Sequence, residues 1–337
     1  MVGYILKGTR PDMLPIDSLI SILADGNFHS GVDLGRQLQV SRTAVWKNLE
    51  KLHDLGLEIE TVKGKGYRLP GGLDLLRADA IRGRLPTTVM SRITALEVLT
   101  VVDSTNAWMQ RYIRANGGEI CSVCLAEFQS AGRGRRGRQW VSSFGENLCL
   151  SVGYTFSEGF AVLEGLSLAV GVMIAEALEN YAVDQLQLKW PNDIWVAGKK
   201  LGGVLIELSG EQAGPCQVIV GVGLNLFMQG GAAVNGIDQA WTALASETGQ
   251  PVARNAVAAE LVAALIQGLA LFEREGFAAF RTRWEELNAL RDKAVRLSGA
   301  QEVEGICRGI GRFGHLLVEA SDGMREVSAG EVSLRPL

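Results

Sequence analysis

Over residues 15–70 the apolar positions follow first a helical and then a strand-like spacing. Val45, Leu49 and Leu52 stand at i, i+4 and i+7, which predicts a helix over 41–56 with one apolar stripe facing a core. The same rules predict two earlier helices and a later hairpin, over 16–26, 30–40 and 57–69. Two helices joined by a short turn and followed by a hairpin indicate a winged helix-turn-helix.

Beyond a Leu-Pro-Gly-Gly-Leu boundary at 69–73, strand-like runs alternate with helices up to about residue 290. The predicted strands lie over 93–103, 120–129, 147–156, 186–196, 199–208 and 216–226. The predicted helices lie over Thr105–Asn116, Glu164–Asn180, Asn255–Glu275 and Ala278–Leu287. Hairpin-like strand pairs covered by helices indicate an α+β layer structure. Short strands and turns follow, so we expect three domains, over 15–70, 73–290 and 291–337, the last a small SH3-like β-barrel.

The third predicted helix and the hairpin carry residues suited to DNA. A recognition helix enters the major groove by its N-terminal end, and a basic wing suits phosphate contacts. The candidate DNA contacts are Ser30, Ser41, Arg42, Thr43, Trp46, Lys47, Lys63 and Lys65, with Arg68 beside them on the wing. Residues 1–70 hold nine Lys and Arg against eight Asp and Glu, so a three-helix cap with a solvated face is the alternative.

Composition and charge narrow the function classes. The chain has 337 residues, is 47% hydrophobic and 21% charged, and carries a formal net charge of −4, so any affinity for DNA must come from a local patch. No uninterrupted apolar run reaches the roughly 18 residues of a membrane helix. The first 14 residues lack the apolar region of a signal peptide, and we expect a cytoplasmic protein.

Cys121 and Cys124 form the one CxxC pair among five cysteines. A second pair and a nearby histidine are both missing from the sequence around them. In the strand predicted here, positions i and i+3 point to opposite faces. We therefore interpret the pair as core residues and expect no metal bound by it.

An arginine-rich segment, QSAGRGRRGRQW at 129–140, concentrates positive charge on a glycine-rich backbone. Its arginines are Arg133, Arg135, Arg136 and Arg138, with glycines between them that allow sharp turns and close approach of backbone amides to a ligand. Arginine binds phosphate bidentately and stays charged, so the segment suits a polyanion such as ATP. It matches neither of the common glycine-rich phosphate motifs. A nucleic-acid patch and a solvated charge run are the competing interpretations.

Three further polar clusters stand at the ends of predicted strands. DSTN at 103–106 ends a strand and begins a helix, where capping alone is the usual explanation. KWPNDIWVAGKKLGG at 189–203 surrounds a Pro-Asn-Asp turn, and turn chemistry alone explains those three residues but not the flanking Trp and Lys. GVGLNL at 221–226 places Asn225 in an apolar strand, where a buried amide needs a partner.

These blocks together, DSTN, GRGRRGRxW, KWPND with the later KLxG, and GxGxN, resemble the biotin–protein ligase family in their order. With the winged helix in front, residues 15–337 resemble the bacterial bifunctional form that also represses the biotin operon. The resemblance implies a class II synthetase-like central α+β domain and an SH3-like C-terminal barrel. It also implies activation of biotin by ATP to biotinyl-5′-AMP and transfer of biotin to a lysine of an acceptor protein.

The resemblance assigns a role to each motif residue. The implied biotin-binding residues are Ser104, Thr105, Asn106, Gln129, Gly132, Arg133, Gly134, Arg135 and Lys200. The implied ATP and adenylate contacts are Arg136, Arg138, Trp140, Asn192, Asn225 and Trp241, the last within an adenylate-binding loop at 235–244. The implied catalytic residues are Lys200, Arg135 and Asp193, with Asp193 also a candidate Mg²⁺ ligand. How Asn192 and Asp193 divide nucleotide, Mg²⁺ and acceptor-lysine contacts stays open.

The resemblance also implies partners. They are the biotin carboxyl carrier protein of acetyl-CoA carboxylase, the biotin operator DNA, and a second copy of the chain once biotinyl-AMP is bound. Two alternatives stay open: a lipoate or octanoyl ligase of related fold, and a ligand-sensing repressor without turnover. The complete arginine segment speaks against the first, and Lys200 together with the same arginines speaks against the second.

Overall fold

The computed structural model describes residues 14–117, 120–159, 163–210, 215–228, 239–298, 302–328 and 333–336. The chain divides between Leu75 and Leu76 into two compact units, apart from residues 143–145, which group with the first.

The smaller unit contains three helices and a hairpin. They are α1 (Leu14–Leu23), α2 (Gly31–Gln37), α3 (Arg42–Asp54), β1 (Glu60–Val62) and β2 (Gly66–Arg68). The stripe of Val45, Leu49 and Leu52 is buried as predicted. His29 forms an isolated β-bridge to the hairpin, because its backbone exchanges hydrogen bonds of 2.8 and 2.9 Å with Tyr67. This is the winged helix-turn-helix that the sequence predicts.

The larger unit is built on a seven-stranded sheet. Its strands are β3 (Ala95–Val102), β4 (Cys121–Gln129), β5 (Asn147–Phe156), β6 (Leu186–Lys189), β7 (Asp193–Val196), β8 (Lys199–Gly210) and β9 (Cys216–Asn225). They lie in the order β3-β4-β5-β9-β8-β7-β6, and all neighbours are antiparallel except β3 and β4. The sheet confirms the predicted α+β class.

Helices cover both faces of this sheet. They are α4 (Ala78–Arg82), α5 (Thr87–Met90), α6 (Thr105–Asn116), α7 (Leu166–Ala177), α8 (Leu244–Thr248), α9 (Arg254–Glu275) and α10 (Ala278–Glu286). Helices α7 and α9 pack on each other over the larger core, which includes Val123 of β4. Helix α6 buries Met109 and Ile113 with Cys124 in a second core, so it covers the opposite face.

One expected strand is wrong. The hydrophobic pattern predicts one continuous strand over 186–196, whereas the structure ends β6 at Lys189 and begins β7 at Asp193. Pro191 follows Trp190 through a cis peptide bond and has no N–H to donate to a sheet ladder. The two strands therefore pair with each other around a turn, and this turn carries the polar residues of the KWPND block.

Helix α9 is long and apolar enough, by length and composition, to cross a membrane. Its mean hydropathy reaches 1.7 in an 18-residue window, and 61% of that window is buried inside the protein. Counting uninterrupted apolar runs misses this helix because charged residues interrupt it. Leu261, Val262, Leu265 and Ile266 are fully buried in the core beneath the sheet, which accounts for its hydrophobicity.

The C-terminal strands form a second, five-stranded antiparallel sheet. They are β10 (Ala294–Ser298), β11 (Val303–Ile310), β12 (Leu316–Ala320), β13 (Gly323–Val327) and β14 (Ser333–Pro336), in the order β13-β12-β11-β10-β14. Val295 and Leu316 of this sheet share one hydrophobic core with Trp284 of α10. Trp190 Nε1 donates to Gly314 O at 3.0 Å, so the C-terminal sheet also holds the turn between β6 and β7.

Candidate active site

A cleft of about 840 Å³ opens in the larger unit where the ends of β4, β8 and β9 meet the start of α6 and the turn between β6 and β7. The structure brings together here almost every ligand residue implied by the sequence. Those lining the cleft are Ser104, Thr105, Asn106, Gln129, Arg133, Gly134, Arg135, Arg136, Arg138, Trp140, Asn192, Asp193, Lys200, Asn225 and Trp241. Gly132 lies outside this lining, at a second cleft on the outer side of the arginine segment.

One end of the cleft is a hydrogen-bonded set of hydroxyl and amide groups. Thr105 donates to Gln129 Oε1 from its backbone N at 2.8 Å and from its hydroxyl at 3.1 Å. Ser151 Oγ lies 2.7 Å from Thr105 Oγ1 and 2.6 Å from Asn106 Oδ1. Ser104 occupies the N-cap position of α6 but makes no side-chain capping bond, so capping does not explain this serine. The set offers an uncharged, directional surface for a polar ring.

Glu207 of β8 supports this end from beside the cleft, and no sequence motif identifies it. Its Oε2 accepts from Asn106 Nδ2 at 2.8 Å and from Arg133 NH2 at 2.9 Å. The carboxylate thus ties the arginine segment to the start of α6. Glu207 lies three residues before the end of β8, and its partners are 101 and 74 residues away in the chain. A single charged residue in this position leaves no local signal in the sequence.

The arginine segment folds as a tight hairpin. Gly134 N donates to Arg138 O at 2.7 Å, and Arg136 adopts a left-handed backbone with φ 58° between them. Arg135 NH1 reaches Asn192 Oδ1 at 3.3 Å across the cleft. Burial lowers the pKa of Arg135 and its cationic neighbours lower it further, while Asp193 raises it. The guanidinium stays charged at any physiological pH and faces into the site.

Lys200 lies opposite this hairpin. Its Nζ is 2.7 Å from Asp193 Oδ1, with both side chains less than a fifth exposed, and lies 5.9 Å from the centre of the Trp140 ring. Its backbone pairs with the segment around Trp241, since Lys200 N donates to Ala240 O and Lys200 O accepts from Thr242, both at 2.9 Å. Residues 235–238 of the predicted adenylate loop lie outside the described residues.

The other end of the cleft is formed by an amide pair and an indole. Asn225 is 3% exposed, accepts from Asn147 Nδ2 at 3.0 Å and donates to Thr242 O at 3.0 Å. Trp140 lies directly over Gly223, where an added Cβ would stand 2.5 Å from the ring. A Cβ on Gly221 would likewise overlap the Asn106 amide. The glycines of GVGLN therefore leave room, by having no side chain, for the Asn106 and Trp140 side chains of the site.

Metal binding by protein side chains alone is not supported in the described part of the chain. It contains no group of three or more His, Cys, Asp or Glu arranged to hold an ion. Asp193 is the acidic side chain among the described residues that line the cleft, and it is paired with Lys200. A Mg²⁺ ion fits here only in the manner usual for nucleotide sites, with phosphates supplying further ligands.

Cys121 and Cys124 confirm the interpretation of the CxxC pair. Cys121 packs in the core beneath α7 and α9, and Cys124 packs against α6 on the other face of the sheet. Neither forms a disulfide, both are buried, and burial raises the pKa of Cys124 far above its usual range. They are inert core residues.

In the smaller unit the candidate DNA contacts are exposed on α3 and the hairpin, apart from Ser30, which is half-buried at the start of α2. Ser30 and Ser41 cap α2 and α3, accepting from Asp33 N at 3.0 Å and Ala44 N at 3.2 Å. Trp46 is 52% exposed. The other exposed side chains are Arg42, Thr43, Lys47, Lys63 and Lys65.

Arg68 is held in place on this hairpin. It lies 2.6 Å from Glu60 and stacks on the Phe28 ring, which Lys65 also faces. The serines are accounted for by capping, and the cations form a local basic surface.

Comparison with known proteins agrees with both units. Residues 98–225 match the biotin/lipoate A/B protein ligase family, 16–68 match an HTH domain, and 292–335 match the biotin protein ligase C terminal domain. The bifunctional ligase/repressor BirA of Salmonella typhimurium is 42% identical, over 94% of this chain and 97% of that protein. BirA of Escherichia coli is 41% identical, over 94% and 96%.

Among solved structures, biotin protein ligase from Aquifex aeolicus in complex with biotin and ATP superposes with a TM-score of 0.63. It is 29% identical and covers 73% of this chain and 100% of that one. The fold and cleft thus define a biotin protein ligase architecture with a DNA-binding domain in front. The chain belongs to the bifunctional biotin ligase/repressor family.

Proposed function

We propose that this chain joins biotin to ATP, giving biotinyl-5′-AMP and pyrophosphate, and then transfers biotin to a lysine of the biotin carboxyl carrier protein of acetyl-CoA carboxylase. The observation that carries the proposal is the opposition of Lys200 and Arg135 across one cleft. Neutral hydrogen-bonding groups stand at one end of it, and an indole with a buried amide at the other. Biotinyl-5′-AMP, a mixed anhydride, has the same order of parts: a polar ring, a charged phosphate in the middle and a purine.

Biotin lies at the end built by α6 and β4. The ureido ring of biotin is a planar donor and acceptor, which suits the hydroxyl and amide groups of Thr105, Asn106 and Gln129. The biotin-contacting residues are Ser104, Thr105, Asn106, Gln129, Gly132, Arg133, Gly134, Arg135 and Lys200. The adenylate contacts are Arg136, Arg138, Trp140, Asn192, Asn225 and Trp241.

In the first step a carboxylate oxygen of biotin attacks the α-phosphorus of ATP, and the bond to pyrophosphate breaks. Lys200 and Arg135 stabilise the negative charge that gathers on the phosphoryl oxygens. In the second step the acceptor lysine, as a neutral amine, attacks the carbonyl carbon and AMP leaves with the bonding electrons. Between the steps, the arginine hairpin retains the anhydride and excludes water.

Mg²⁺, when bound, neutralises phosphate charge and orients the leaving pyrophosphate. Asp193 would hold it together with the phosphates, and the same carboxylate sets the position of the Lys200 ammonium. Asn192 is oriented by its donation to Val204 O at 2.8 Å, which leaves its carbonyl oxygen facing Arg135.

The direct test is exchange of labelled pyrophosphate into ATP. We expect exchange that depends on biotin and is lost when lipoate or octanoate replaces it. Exchange with lipoate instead would make the chain a lipoate ligase. Specific binding of biotin without any exchange would make it a sensor without turnover.

The exposed basic surface on α3 and the hairpin supports a second activity, repression of the biotin operon in response to biotinyl-AMP. We infer that a homodimer binds an inverted-repeat operator through two copies of this surface. In this proposal the DNA-binding domain spans 15–70, the ligase domain 73–290 and the SH3-like domain 291–337, in a cytoplasmic protein without membrane attachment. Fluorescence anisotropy of labelled operator DNA, with and without biotinyl-AMP, tests it.

A further inference from the structure

A buried ion pair lies next to the nucleotide end of the cleft, and no role given above uses it. Arg254 NH1 is 2.7 Å from Glu127 Oε2, and the side chains are 1% and 4% exposed. Arg254 begins α9 and Glu127 lies on β4. A buried ion pair is weak evidence for stability, because the loss of hydration offsets the attraction between the charges. Its connections indicate a different role.

From this pair a series of hydrogen bonds runs to the cleft. Arg254 NH2 donates to Asn147 O at 3.0 Å, at the first residue of β5. Asn147 Nδ2 donates to Asn225 Oδ1 at 3.0 Å, and Asn225 Nδ2 donates to Thr242 O at 3.0 Å. Thr242 N in turn donates to Lys200 O at 2.9 Å. The guanidinium is thus connected through four hydrogen bonds to the backbone of the lysine opposite the arginine hairpin.

The series fixes which way the Asn225 amide faces. An asparagine amide can present either its oxygen or its nitrogen to a neighbour, and the neighbour decides. Asn147 presents an N–H, so the Asn225 oxygen turns toward it and the Asn225 nitrogen turns toward Thr242. The end of β5 that carries Asn147 is paired with Asn225 of β9, and Arg254 adds a hydrogen bond to its backbone carbonyl. Glu127 holds the guanidinium and also accepts from Leu76 N at 2.5 Å.

We propose that Arg254, held by Glu127, is a positioning residue for the nucleotide and acts through Asn147 on Asn225. The inference rests on the proposed function, in which Asn225 contacts the adenylate. It implies that disturbing Arg254 weakens the use of ATP and leaves the use of biotin nearly unchanged. The Thr105–Gln129 and Asn106–Glu207 contacts at the biotin end do not include Arg254.

The decisive variant is Arg254→Met with Glu127→Gln in the full-length chain. It leaves no buried charge unpaired, and the glutamine oxygen still accepts from Leu76 N. In pyrophosphate exchange we expect the KM for ATP to rise about tenfold, the effect of losing one buried hydrogen bond. We expect the KM for biotin to stay within about twofold. The melting temperature should stay near that of the wild type, whereas Arg254→Met alone should lower it because Glu127 is then buried without its partner.

Coupling to Asn225 distinguishes positioning from general loosening of the site. In an Asn225→Ala background the same double substitution should raise the KM for ATP by less than about twofold, because the residue it acts through is gone. An unchanged KM for ATP, an equal rise in both KM values, or a full tenfold rise in the Asn225→Ala background would each overturn the proposal.

If the double variant does not fold, Arg254→Lys answers the same question. A lysine can reach Glu127, but its single nitrogen cannot also take the place of the second guanidinium nitrogen that donates to Asn147 O. The selective rise in the KM for ATP should therefore persist, and its absence would contradict the proposal. A wild-type chain without biotin-dependent exchange would defeat the proposed function itself. A wild-type chain that exchanges normally beside an unaffected variant would defeat only this inference.

Discussion

At the scale of single residues, two of the cations in the cleft are already paired with a carboxylate. Lys200 is paired with Asp193 at 2.7 Å, and Arg133 with Glu207 at 2.9 Å. These pairs orient the cations and reduce their repulsion before a substrate arrives. An anionic substrate competes with the two carboxylates for these cations. The cations therefore stabilise the substrate most strongly when negative charge develops between the cations themselves.

Lys200→Ala should slow adenylate formation by about 100- to 1,000-fold while the fold is retained, because a half-buried cation at the reacting phosphate is lost. Single-turnover formation of biotinyl-AMP measures the effect. Lys199→Ala is the matched control, since Lys199 is the preceding residue of β8 and is exposed. Equal rates for both variants would remove Lys200 from the chemistry.

Gly223→Ala should displace Trp140 and weaken ATP binding. The added Cβ would stand 2.5 Å from the indole ring, and relieving such an overlap costs about 1–3 kcal/mol. Isothermal titration with ATP and with biotin separates a local effect from a global one, and the larger loss should be for ATP. Gly311→Ala serves as the control, because its Cβ would meet nothing closer than 3.8 Å.

The sequence identifies residues that stand in compact motifs and misses those that act across the fold. Thr105, Arg135 and Lys200 were found because each lies in a motif that resembles the biotin–protein ligase family. Glu207 and Arg254 were missed because a single charged residue in a strand or helix has no special spacing. Only the folded sheet brings Glu127 next to Arg254, 127 positions away in the chain.

At the scale of elements, the arginine hairpin acts as one unit. Its ends are tied by Trp140 N donating to Gly132 O at 3.0 Å, and its tip reaches Asn192 through Arg135. The arginine hairpin and the turn between β6 and β7 thus meet over the middle of the cleft. Retention of the anhydride is the property expected from such a closure.

Arg135→Gly should release biotinyl-AMP, because the variant loses both the contact to Asn192 and a charge beside the phosphate. Free biotinyl-AMP acylates exposed amines, so a protein that is not an acceptor should become biotinylated, as detected with streptavidin. Arg135→Lys keeps the charge and should release less. Labelling of the bystander protein at the wild-type level would contradict a role in retention.

Helix α3 and the β1–β2 hairpin should determine affinity for DNA without affecting ligation. Arg42→Ala with Lys47→Ala removes two exposed cations from the N-terminal half of α3, the half that enters a major groove. Operator binding should fall at least about tenfold and depend less on salt, while pyrophosphate exchange is unchanged. Lys51→Ala, at the other end of the helix, is the control and should have the smaller effect.

The elements themselves were predicted well where the hydrophobic pattern is long and uninterrupted. Asn147–Phe156 and Thr105–Asn116 have the bounds that the sequence predicts. Residues 186–196 were placed in one strand, although a Pro-Asn-Asp turn was recognised within them, because the apolar alternation of 186–188 resumes at 194–196. The sequence also gave no indication that the C-terminal sheet would share its core with α10, since that contact joins distant apolar residues.

At the scale of the whole molecule, a net charge of −4 works against unspecific binding to DNA, so one copy of the small basic surface should bind weakly. Two copies on a two-fold axis double the phosphate contacts and require an inverted repeat. Repression then depends on whether biotinyl-AMP favours the dimer. A ligand shifts this equilibrium only by its difference in affinity for monomer and dimer.

We therefore expect the chain without ligand to sediment mostly as a monomer and the biotinyl-AMP complex mostly as a dimer at the same concentration. A shift from about 1% to about 99% dimer-competent protein needs a preference of roughly 10⁴-fold, so the two sedimentation profiles should differ plainly. Operator affinity should rise over the same range of biotinyl-AMP concentration. An operator affinity independent of biotinyl-AMP, with sedimentation unchanged, would mean that DNA binding by the winged helix does not depend on whether biotinyl-AMP occupies the cleft.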